Sequence, residues 1–217
     1  MKADIFKTYW GWMGVAATER GVSAVVLPKT SRRAVEQALN EAGCTDRSLQ
    51  GIAVKSAENH VKAARVAIEG YLAGTTRTFA LSLDFGPQPR FRQKVLNLLQ
   101  RIPYGRVRSY GWIARKLGNP SAMRAVGGAC GANPVPLLVP CHRVVAADGS
   151  LGGFSGGLNI KKRLLQLENP GVKAPSRRAH REGARPGAPG EGGCPGKSAR
   201  LGGRGAGGCN GGVFTGK

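Results

Sequence analysis

The sequence predicts an α+β protein in which an N-terminal α/β domain packs on a mainly helical C-terminal domain. Residues 1–86 contain strand-like apolar runs and two helical patterns, whereas residues 87–172 show helical spacing over most of their length. From residue 173 onward the composition changes sharply to Gly, Arg, Pro and Ala, with almost no aliphatic residues. Such a segment cannot bury enough apolar surface to offset its ordering entropy, so we expect residues 173–217 to form a disordered basic tail.

The N-terminal domain is predicted to contain, in order, strands at 9–17 and 22–28, helices at 31–42 and 57–73, and a half-buried strand at 79–85. The first two strands join around Glu19–Gly21. The last strand is predicted because apolar residues alternate with Ala, Ser and Asp from Phe79 to Phe85. Gly86–Pro87 ends this pattern and marks the expected domain boundary.

The C-terminal domain is predicted to contain helices at 91–102, at 110–117, from Pro120 through Val126, and at 158–168. Gly118 would end the second helix, and Asn119 would cap the third, with Pro120 at its first position. Two short helices around a tight turn are typical of a helix-turn-helix, although an ordinary helical corner gives the same pattern. In the last helix we expect Ile160, Leu164 and Leu167 to face inward and Lys161, Lys162 and Arg163 to face outward.

The charge balance points to a polyanionic partner. The chain has 217 residues and a formal net charge of +21, which fits nucleic acid or an anionic membrane surface. No run approaches the roughly 18 apolar residues needed to span a bilayer, and we expect no secretion signal at the N-terminus. The tail would be a plain solvated extension, a source of unspecific phosphate attraction, or the product of an altered reading frame.

The cysteines suggest an intracellular, reducing compartment. There are five of them, an odd number without CxxC spacing, which argues against a disulfide scaffold. The scattered histidines do not suggest a structural zinc site, so no metal is expected. Cys44 and Cys130 are interpreted as small buried hydrophobes.

Cys141 has the one cysteine context that suggests chemistry, because VPCHRVV at residues 139–145 places His142 and Arg143 directly after it. A thiolate is a strong nucleophile, and a nearby cation or base lowers the pKa of a thiol. Adjacency does not prove contact, since neighbouring side chains in a strand point to opposite faces. A buried, unreactive cysteine is the alternative.

Several motifs in one order resemble the methylated-DNA–protein-cysteine methyltransferases, which are O6-alkylguanine-DNA alkyltransferases. They are RAVG at 124–127, NP at 133–134, PCHRV at 140–144 and SGGL at 155–158. The resemblance is dense over residues 88–170 and weaker over 9–87. It implies a ribonuclease H-like N-terminal domain and a winged helix-turn-helix-like C-terminal domain.

The resemblance also implies an activity. The protein would flip O6-alkylguanine, and O4-alkylthymine, out of double-stranded DNA and move the alkyl group irreversibly to its own cysteine, once per molecule. It would need no cofactor and no membrane, and would be monomeric when free. It would work in the nucleus of a eukaryote or in the cytoplasm or nucleoid of a prokaryote.

Residue roles are implied position by position. Cys141 would accept the alkyl group. His142 would keep it ionised through a bridging water, and Glu168 would orient His142. The other implied catalytic residues are Asn133, holding the turn before the cysteine, and Tyr110, which would rotate the target phosphate and hydrogen-bond to the purine.

The remaining implied contacts concern DNA and the base. Arg124 would fill the space left by the flipped base. Further DNA contacts would come from Ala122, Ala125, Gly127, Ser109 and Arg106. Backbone groups at Cys141 and Val144 would read the exocyclic amine, and Ser155 would contact O6. Phe154 departs from the family, which often has a tyrosine there, and the N-terminal cysteine and histidine set that binds zinc in some members is missing.

Three other functions fit parts of the sequence. A DNA-binding relative without transfer activity would recognise alkylated bases, but such proteins replace the acceptor cysteine. A cysteine hydrolase using Cys141, His142 and Glu168 would leave the helix-turn-helix without a role. A transcription regulator would need a further domain, and none is visible.

Overall fold

The computed structural model of the chain describes residues 1–44 and 52–170, which fall within one compact unit, Met1–Gly183. The predicted disordered tail at 173–217 lies outside the described residues. The predicted boundary between residues 86 and 87 stays a prediction. The described residues mix helices and sheet, so the α+β class is confirmed.

A three-stranded antiparallel sheet forms the N-terminal part. Its strands are β1 (Lys2–Thr8), β2 (Gly11–Ala17) and β3 (Val22–Lys29), in the order β1-β2-β3. The two strands predicted from apolar runs are confirmed as β2 and β3. Strand β1 was not predicted, because it is an edge strand whose charged residues break the apolar pattern and only Phe6 is buried.

Helices cover both faces of this sheet. Helix α1 (Arg32–Glu41) is capped by Ser31, whose hydroxyl accepts a hydrogen bond from the Ala34 amide. It packs on one face through Val35 and Leu39. Helix α2 (Ile52–Leu72) packs on the other face and joins the main core. Both predicted helices are confirmed, and α2 begins five residues earlier than the predicted start at 57.

The strand predicted at 79–85 is wrong as a strand. The segment is extended, but only Leu83 pairs with another strand residue, Val22, in an isolated bridge. The alternation itself is real, because Phe79, Leu81, Leu83 and Phe85 pack on the core while Ala80 and Ser82 are exposed. The pattern therefore reports which side of an extended segment is buried. A ladder also needs a partner strand alongside, and β3 meets this segment only at its first residue.

The C-terminal part consists of helices around a small parallel strand pair. The helices are α3 (Arg90–Leu99), α4 (Tyr110–Lys116), α5 (Met123–Gly131) and α6 (Leu158–Glu168). Strands β4 (Arg108–Ser109) and β5 (Val144–Val145) pair in parallel, and a 3₁₀ turn, Cys141–Arg143, precedes β5. The four predicted helices are confirmed in type and order.

Two details of these helices differ from prediction. Helix α5 begins at Met123, with Ala122 before it, so Asn119 does not cap it and Pro120 is not its first residue. Instead the Asn119 side chain accepts a hydrogen bond from the Ser121 hydroxyl, and its carbonyl accepts one from the Ala122 amide, which closes a separate turn. In α6, Lys161 was expected to face outward but is fully buried.

One apolar core runs through both parts of the described chain. Val15 of β2, Ile68 of α2, Leu96 of α3 and Leu164 of α6 belong to the same cluster of buried side chains. Cys141 of the 3₁₀ turn is itself a member of this cluster, so the predicted reactive cysteine is held by the main core.

Candidate active site

Cys141 lines an open cavity of about 580 Å³. The cavity wall comes from α4 through Tyr110, from α5 through Arg124 and Gly127, and from the loop before α6 through Phe154 and Ser155. The Cys141 side chain is buried, and it lines this cavity. A ligand in the cavity would therefore approach the thiol between helices α4 and α5 and the loop before α6.

A tight segment between α5 and Cys141 fixes the position of the thiol. The Asn133 side chain accepts a hydrogen bond from the Val135 amide and donates to the Val139 carbonyl at 2.9 Å. Leu137 within this segment has a φ of 75°, in the left-handed region that costs a leucine about 1–3 kcal/mol, and its burial holds it there. The Asn133 amide also donates to the Cys141 Sγ at 3.2 Å.

Glu168, at the end of α6, collects hydrogen bonds from four residues. Its Oε1 accepts from His142 Nε2 at 2.8 Å and from the Tyr71 hydroxyl at 2.5 Å. Arg143 Nε donates to both carboxylate oxygens at 3.0 Å, and the Gly105 amide donates to Oε2 at 2.9 Å. Burial alone would raise the pKa of Glu168, but the hydrogen bonds from His142 and Arg143 outweigh it and hold the pKa at about 2. The carboxylate is therefore ionised.

The ionised Glu168 fixes the tautomer of His142. A carboxylate only accepts hydrogen bonds, so the ring proton of His142 lies on Nε2 and Nδ1 keeps a lone pair. Within the described residues, Nδ1 has no hydrogen-bond partner. Burial lowers the pKa of His142, although its contact with Glu168 acts in the opposite direction. The imidazole is thus neutral, with one basic nitrogen available.

Cys141 keeps its proton in the resting protein. Burial raises the pKa of the thiol, while the hydrogen bond from Asn133 and the positive charge of Lys161 act against that rise. A base is consequently needed to form the thiolate nucleophile, and the neutral His142 on the next residue is chemically suited to that task.

Tyr110 stands between helix α5 and the loop before α6. It is the first residue of α4, and its hydroxyl donates to the Gly153 carbonyl at 3.3 Å. Burial raises the pKa of Tyr110 to about 12, so the phenol keeps its proton at neutral pH. Gly152 has a φ of 63°, and a Cβ added there would lie 2.8 Å from the Tyr110 ring. Only glycine fits this position against the ring.

The loop before α6 also touches the N-terminal sheet. A Cβ added at Gly156 would lie 2.3 Å from the Leu27 side chain of β3. Phe154 and Ser155 come directly before this contact and line the cavity. The sheet therefore supports the part of the loop that forms the cavity wall.

The predicted DNA contacts lie on and around helices α4 and α5, and they differ in exposure. Arg124 and Ala125 are exposed at the start of α5, and a Cβ at Gly128 would meet nothing within 4 Å. Gly127 faces the Tyr110 ring. Ser109 accepts a hydrogen bond from the Trp112 amide and so caps α4.

Three residues that were predicted to contact DNA or the base do not line the cavity. Arg106 is exposed in the turn before β4, and Ala122 is half-buried before α5; neither lines the cavity. Val144 is fully buried and does not line the cavity either, and its carbonyl accepts a hydrogen bond from Lys161. The other predicted base-pocket residues, Cys141, Phe154 and Ser155, do meet there.

Sequence reasoning missed four residues of the site. Tyr71 reaches Glu168 from α2, 97 positions earlier in the chain, so no local pattern could reveal it. Arg143 pairs with Glu168, a role that the arginine after PCH could have suggested. Cys130 lines the cavity beside Cys141, and Lys161 is buried behind the loop. Burial raises the pKa of Cys130 to about 12, which keeps it a thiol.

No cluster of three or more histidine, cysteine or acidic side chains in ranges 1–44 and 52–170 has the geometry to hold a metal ion. Over the same ranges, no helix is both long enough and apolar enough to cross a membrane.

Comparison with known proteins places this site in a family. Residues 90–170 match the family model described as 6-O-methylguanine DNA methyltransferase, DNA binding domain. The chain is 48% identical over 102 residues to the methylated-DNA–protein-cysteine methyltransferase of Methanosarcina acetivorans, covering 46% of this chain and 64% of that protein. It is 50% identical over 102 residues to the Mycobacterium leprae protein of the same name, covering 46% of this chain and 61% of the relative. These matches span less than two thirds of the curated relatives.

Solved structures extend the likeness to both parts of the fold. The O6-methylguanine methyltransferase of Mycobacterium tuberculosis is 32% identical, with a TM-score of 0.61, covering 80% of this chain and 97% of that one. A structure of the Mycobacterium tuberculosis OGT protein in complex with DNA has the same identity and TM-score, covering 77% of this chain and 93% of the other.

Proposed function

Since the chain belongs to the 6-O-methylguanine DNA methyltransferase family, we propose that it repairs DNA by direct reversal, taking the alkyl group of O6-alkylguanine, and of O4-alkylthymine, onto Cys141. The observation that carries this proposal is the placement of Cys141. Cys141 lines a cavity between α4, α5 and a loop, and the next residue in the chain, His142, is hydrogen-bonded to Glu168. The two relatives from Methanosarcina acetivorans and Mycobacterium leprae carry the name methylated-DNA–protein-cysteine methyltransferase, which supports transfer from methylated DNA to a cysteine.

The transfer is a displacement at a saturated carbon. His142, through a bridging water at Nδ1, takes the proton of Cys141, and the thiolate attacks the alkyl carbon. The S–C bond forms as the C–O6 bond breaks, and the electron pair of that bond stays on the guanine, which takes up a proton. Tyr110, a protonated phenol on the cavity wall, is the proposed hydrogen-bond donor to the departing base. The thioether product is stable, so each molecule acts once and needs no cofactor.

The base must leave the duplex to reach Cys141. O6 is paired inside the helix, so an enzyme that acts on its substituent extrudes the nucleotide. Arg124 is exposed at the mouth of the cavity and would fill the space that the base vacates. The small, open surface at Ala125 and Gly128 would let α5 approach a narrow groove closely. Arg106, Ser109, Ala122 and Gly127 are proposed as neighbouring contacts.

Inside the cavity the flipped base would meet the loop. Ser155 is proposed to contact O6, and the Phe154 ring to form a wall without the hydroxyl contact that a tyrosine would give. Backbone groups at Cys141 and Val144 would read the exocyclic amine. Asn133 would hold the turn that carries Cys141, as its hydrogen bonds to Val139 and to the thiol suggest.

The finer architecture is also a proposal. The antiparallel β1-β2-β3 sheet between helices supports a ribonuclease H-like N-terminal domain. The α4–α5 pair with the β4–β5 pair supports a winged helix-turn-helix-like C-terminal domain. We further propose that the protein acts as a monomer on double-stranded DNA, inside the cell, in the nucleus of a eukaryote or the cytoplasm or nucleoid of a prokaryote.

Mass spectrometry of the intact protein tests the function. After incubation with a duplex containing O6-methylguanine, wild type should gain one methyl group per chain, and Cys141→Ala should gain none. Cys130→Ser is the matched control, because Cys130 lines the same cavity, and it should still gain the methyl group. A wild-type protein that stays unmodified with a free Cys141 thiol contradicts the proposal.

The same experiment separates the other functions. A non-transferring reader of alkylated DNA would bind the duplex without a change in mass. The presence of Cys141 in the cavity does not favour that function. A cysteine hydrolase would release product repeatedly, whereas the proposed reaction stops after one methyl group per protein.

A further inference from the structure

Lys161 is a fully buried lysine with an unusual set of partners. It lies on α6, and its Nζ donates to the carbonyl oxygens of Val144 at 2.5 Å, of Leu151, and of Gly153 at 3.3 Å. All three partners are neutral backbone groups. Within the described residues its ammonium group forms no ion pair with a carboxylate. A buried charge without a counter-ion is costly and needs a reason.

The three carbonyls match the donors of a charged lysine. An ammonium group has three N–H donors and no acceptor, so each hydrogen finds one oxygen. A neutral amine has only two N–H groups and carries a lone pair. Loss of the proton would therefore leave one of the three carbonyls without its donor and direct a lone pair toward it.

The position of these carbonyls ties two parts of the active site together. Val144 follows the turn that carries Cys141, while Leu151 and Gly153 belong to the loop that leads to Phe154 and Ser155. The Gly153 carbonyl also accepts the Tyr110 hydroxyl. Lys161 is thus bonded to both sides of the cavity without lining it.

Resting on the proposed function, we infer that Lys161 is a positioning residue for alkyl transfer. Its charged ammonium group clamps the Cys141 turn to the loop, and the cavity holds its reactive shape only while that group is protonated. The residue acts through the loop and the turn and does not touch the base.

The surroundings place the loss of this proton near physiological pH. Burial lowers the pKa of Lys161 to about 8. The titratable groups that face it are the thiols of Cys130 on α5 and Cys141 on the 3₁₀ turn, and the Tyr110 ring on α4, whose centroid lies 5.9 Å from Nζ. The charge of Lys161 in turn lowers the pKa of His142 and opposes the rise in the pKa of Cys141. The Asp148 carboxylate of the loop accepts a hydrogen bond from the Ser150 amide.

A pH profile tests this role. The single-turnover rate with free O6-benzylguanine is measured from pH 6.5 to 9.5, because a free base removes DNA binding from the measurement. Wild type should lose rate above pH 8, to about a tenth of its plateau at pH 9, as Lys161 deprotonates. In Lys161→Arg the guanidinium stays charged, so this alkaline loss should be absent. Any effect of pH on the substrate itself is common to both proteins.

Two more variants distinguish the loss of the Lys161 charge from a general loss of folding. Lys161→Met keeps an unbranched side chain, one atom shorter and without the charge, and should transfer at least about tenfold more slowly than wild type at pH 7.5. Lys162→Met, on the exposed side of the same helix, should behave as wild type. Melting temperatures at pH 7.5 and 9 show whether each protein is folded. If Lys161→Arg does not fold, the wild-type profile and Lys161→Met decide.

The outcomes separate the inference from the function beneath it. Wild type that takes up no alkyl group at pH 7.5 defeats the proposed function. If wild type transfers at pH 7.5 and stays folded but loses no rate above pH 8, the positioning role of Lys161 is contradicted. The same holds if the rate of Lys161→Arg falls above pH 8 as much as that of wild type. A folded Lys161→Met with the wild-type rate defeats it as well.

Discussion

At the scale of single residues, the site depends on one carboxylate that serves several partners. Glu168 fixes the tautomer of His142, balances the charge of Arg143 and receives the Tyr71 hydroxyl. Each partner stabilises the ionised form, and together they offset the cost of burying the charge. Protonation of Glu168 would therefore affect its structural role and its proposed catalytic role together.

Acid should destabilise the protein through Glu168. Its folded pKa of about 2 lies below the unfolded value, so the unfolded state takes up a proton first as pH falls. The stabilisation is fully present above about pH 5 and is lost toward pH 2, a loss of about 3 kcal/mol from this group. Denaturant unfolding at pH 7, 5 and 3 measures it.

The variant Glu168→Gln removes this acid dependence. It should be less stable at pH 7 by about 3–5 kcal/mol, because Arg143 then keeps a buried charge without its partner. Glu69→Gln is the control: that carboxylate is exposed in a surface pair with Arg65, and its loss should leave the acid dependence in place. An unchanged acid loss in Glu168→Gln would show that other groups cause it.

At the scale of elements, helices α4 and α5 place their side chains in different surroundings. Helix α4 places Tyr110 against the loop, whereas α5 presents Arg124 outward at the mouth of the cavity. Under the proposed function, contacts from α4 would serve the chemistry inside the cavity, and those from α5 would serve the DNA outside it. This division makes the two tasks separable by mutation.

Arg124→Ala should slow repair of a duplex lesion by at least about tenfold and leave the reaction with free O6-benzylguanine almost unchanged. The reason is that only the duplex requires the vacated stack to be filled. Parallel single-turnover rates with both substrates make the comparison, and Arg101→Ala, an exposed arginine after α3, controls for the lost charge. Equal slowing with both substrates would contradict the flipping role.

The periodicity of apolar residues predicted where the helices lie better than it predicted which distant residues each segment contacts. The spacing of Phe91, Val95 and Leu98 sufficed for α3, because helical hydrogen bonds are local. The segment at 79–85 failed as a strand because pairing depends on a distant partner. Lys161 was misplaced because its charge suggested exposure, while three carbonyls from another part of the chain make burial possible.

The candidate site could likewise be predicted only in part, because some of its contacts join distant parts of the chain. Cys141, His142 and Glu168 could be proposed from sequence through the family resemblance, and the structure joins His142 to Glu168 and Asn133 to Cys141 by hydrogen bonds. Tyr71 lay beyond such reasoning, since its contact with Glu168 exists only once α2 has packed against α6. Long-range polar contacts of this kind carry no local sequence pattern.

At the scale of the whole molecule, the N-terminal part supports the chemistry of the C-terminal part. Tyr71 of α2 donates to Glu168, and Leu27 of β3 presses against Gly156 of the loop. Both contacts join the sheet region to groups around Cys141. The shared core holds them in place.

Tyr71→Phe tests this support. Removing the hydroxyl deletes a buried donor to Glu168 and should cost about 1–3 kcal/mol of stability, with a slower transfer rate. Tyr104→Phe is the matched control, because its hydroxyl donates to the Leu167 carbonyl at 3.2 Å and makes no bond to Glu168. Thermal unfolding and single-turnover kinetics give the two readings. Wild-type behaviour of Tyr71→Phe in both would mean that α2 does not support the site.

The contact of Gly156 with Leu27 also limits how this protein can be recombined. With only 2.3 Å between the Leu27 side chain and the place of a Cβ at Gly156, the two positions are matched to each other. A chimera that takes its N-terminal half from another protein inherits a new residue at the place of Leu27. A larger side chain there would push the loop toward the cavity, and a smaller one would leave the loop unsupported. The boundary between the two halves is therefore unsuitable as a point of exchange. A functional chimera would have to take β3 and the loop before α6 from the same parent protein.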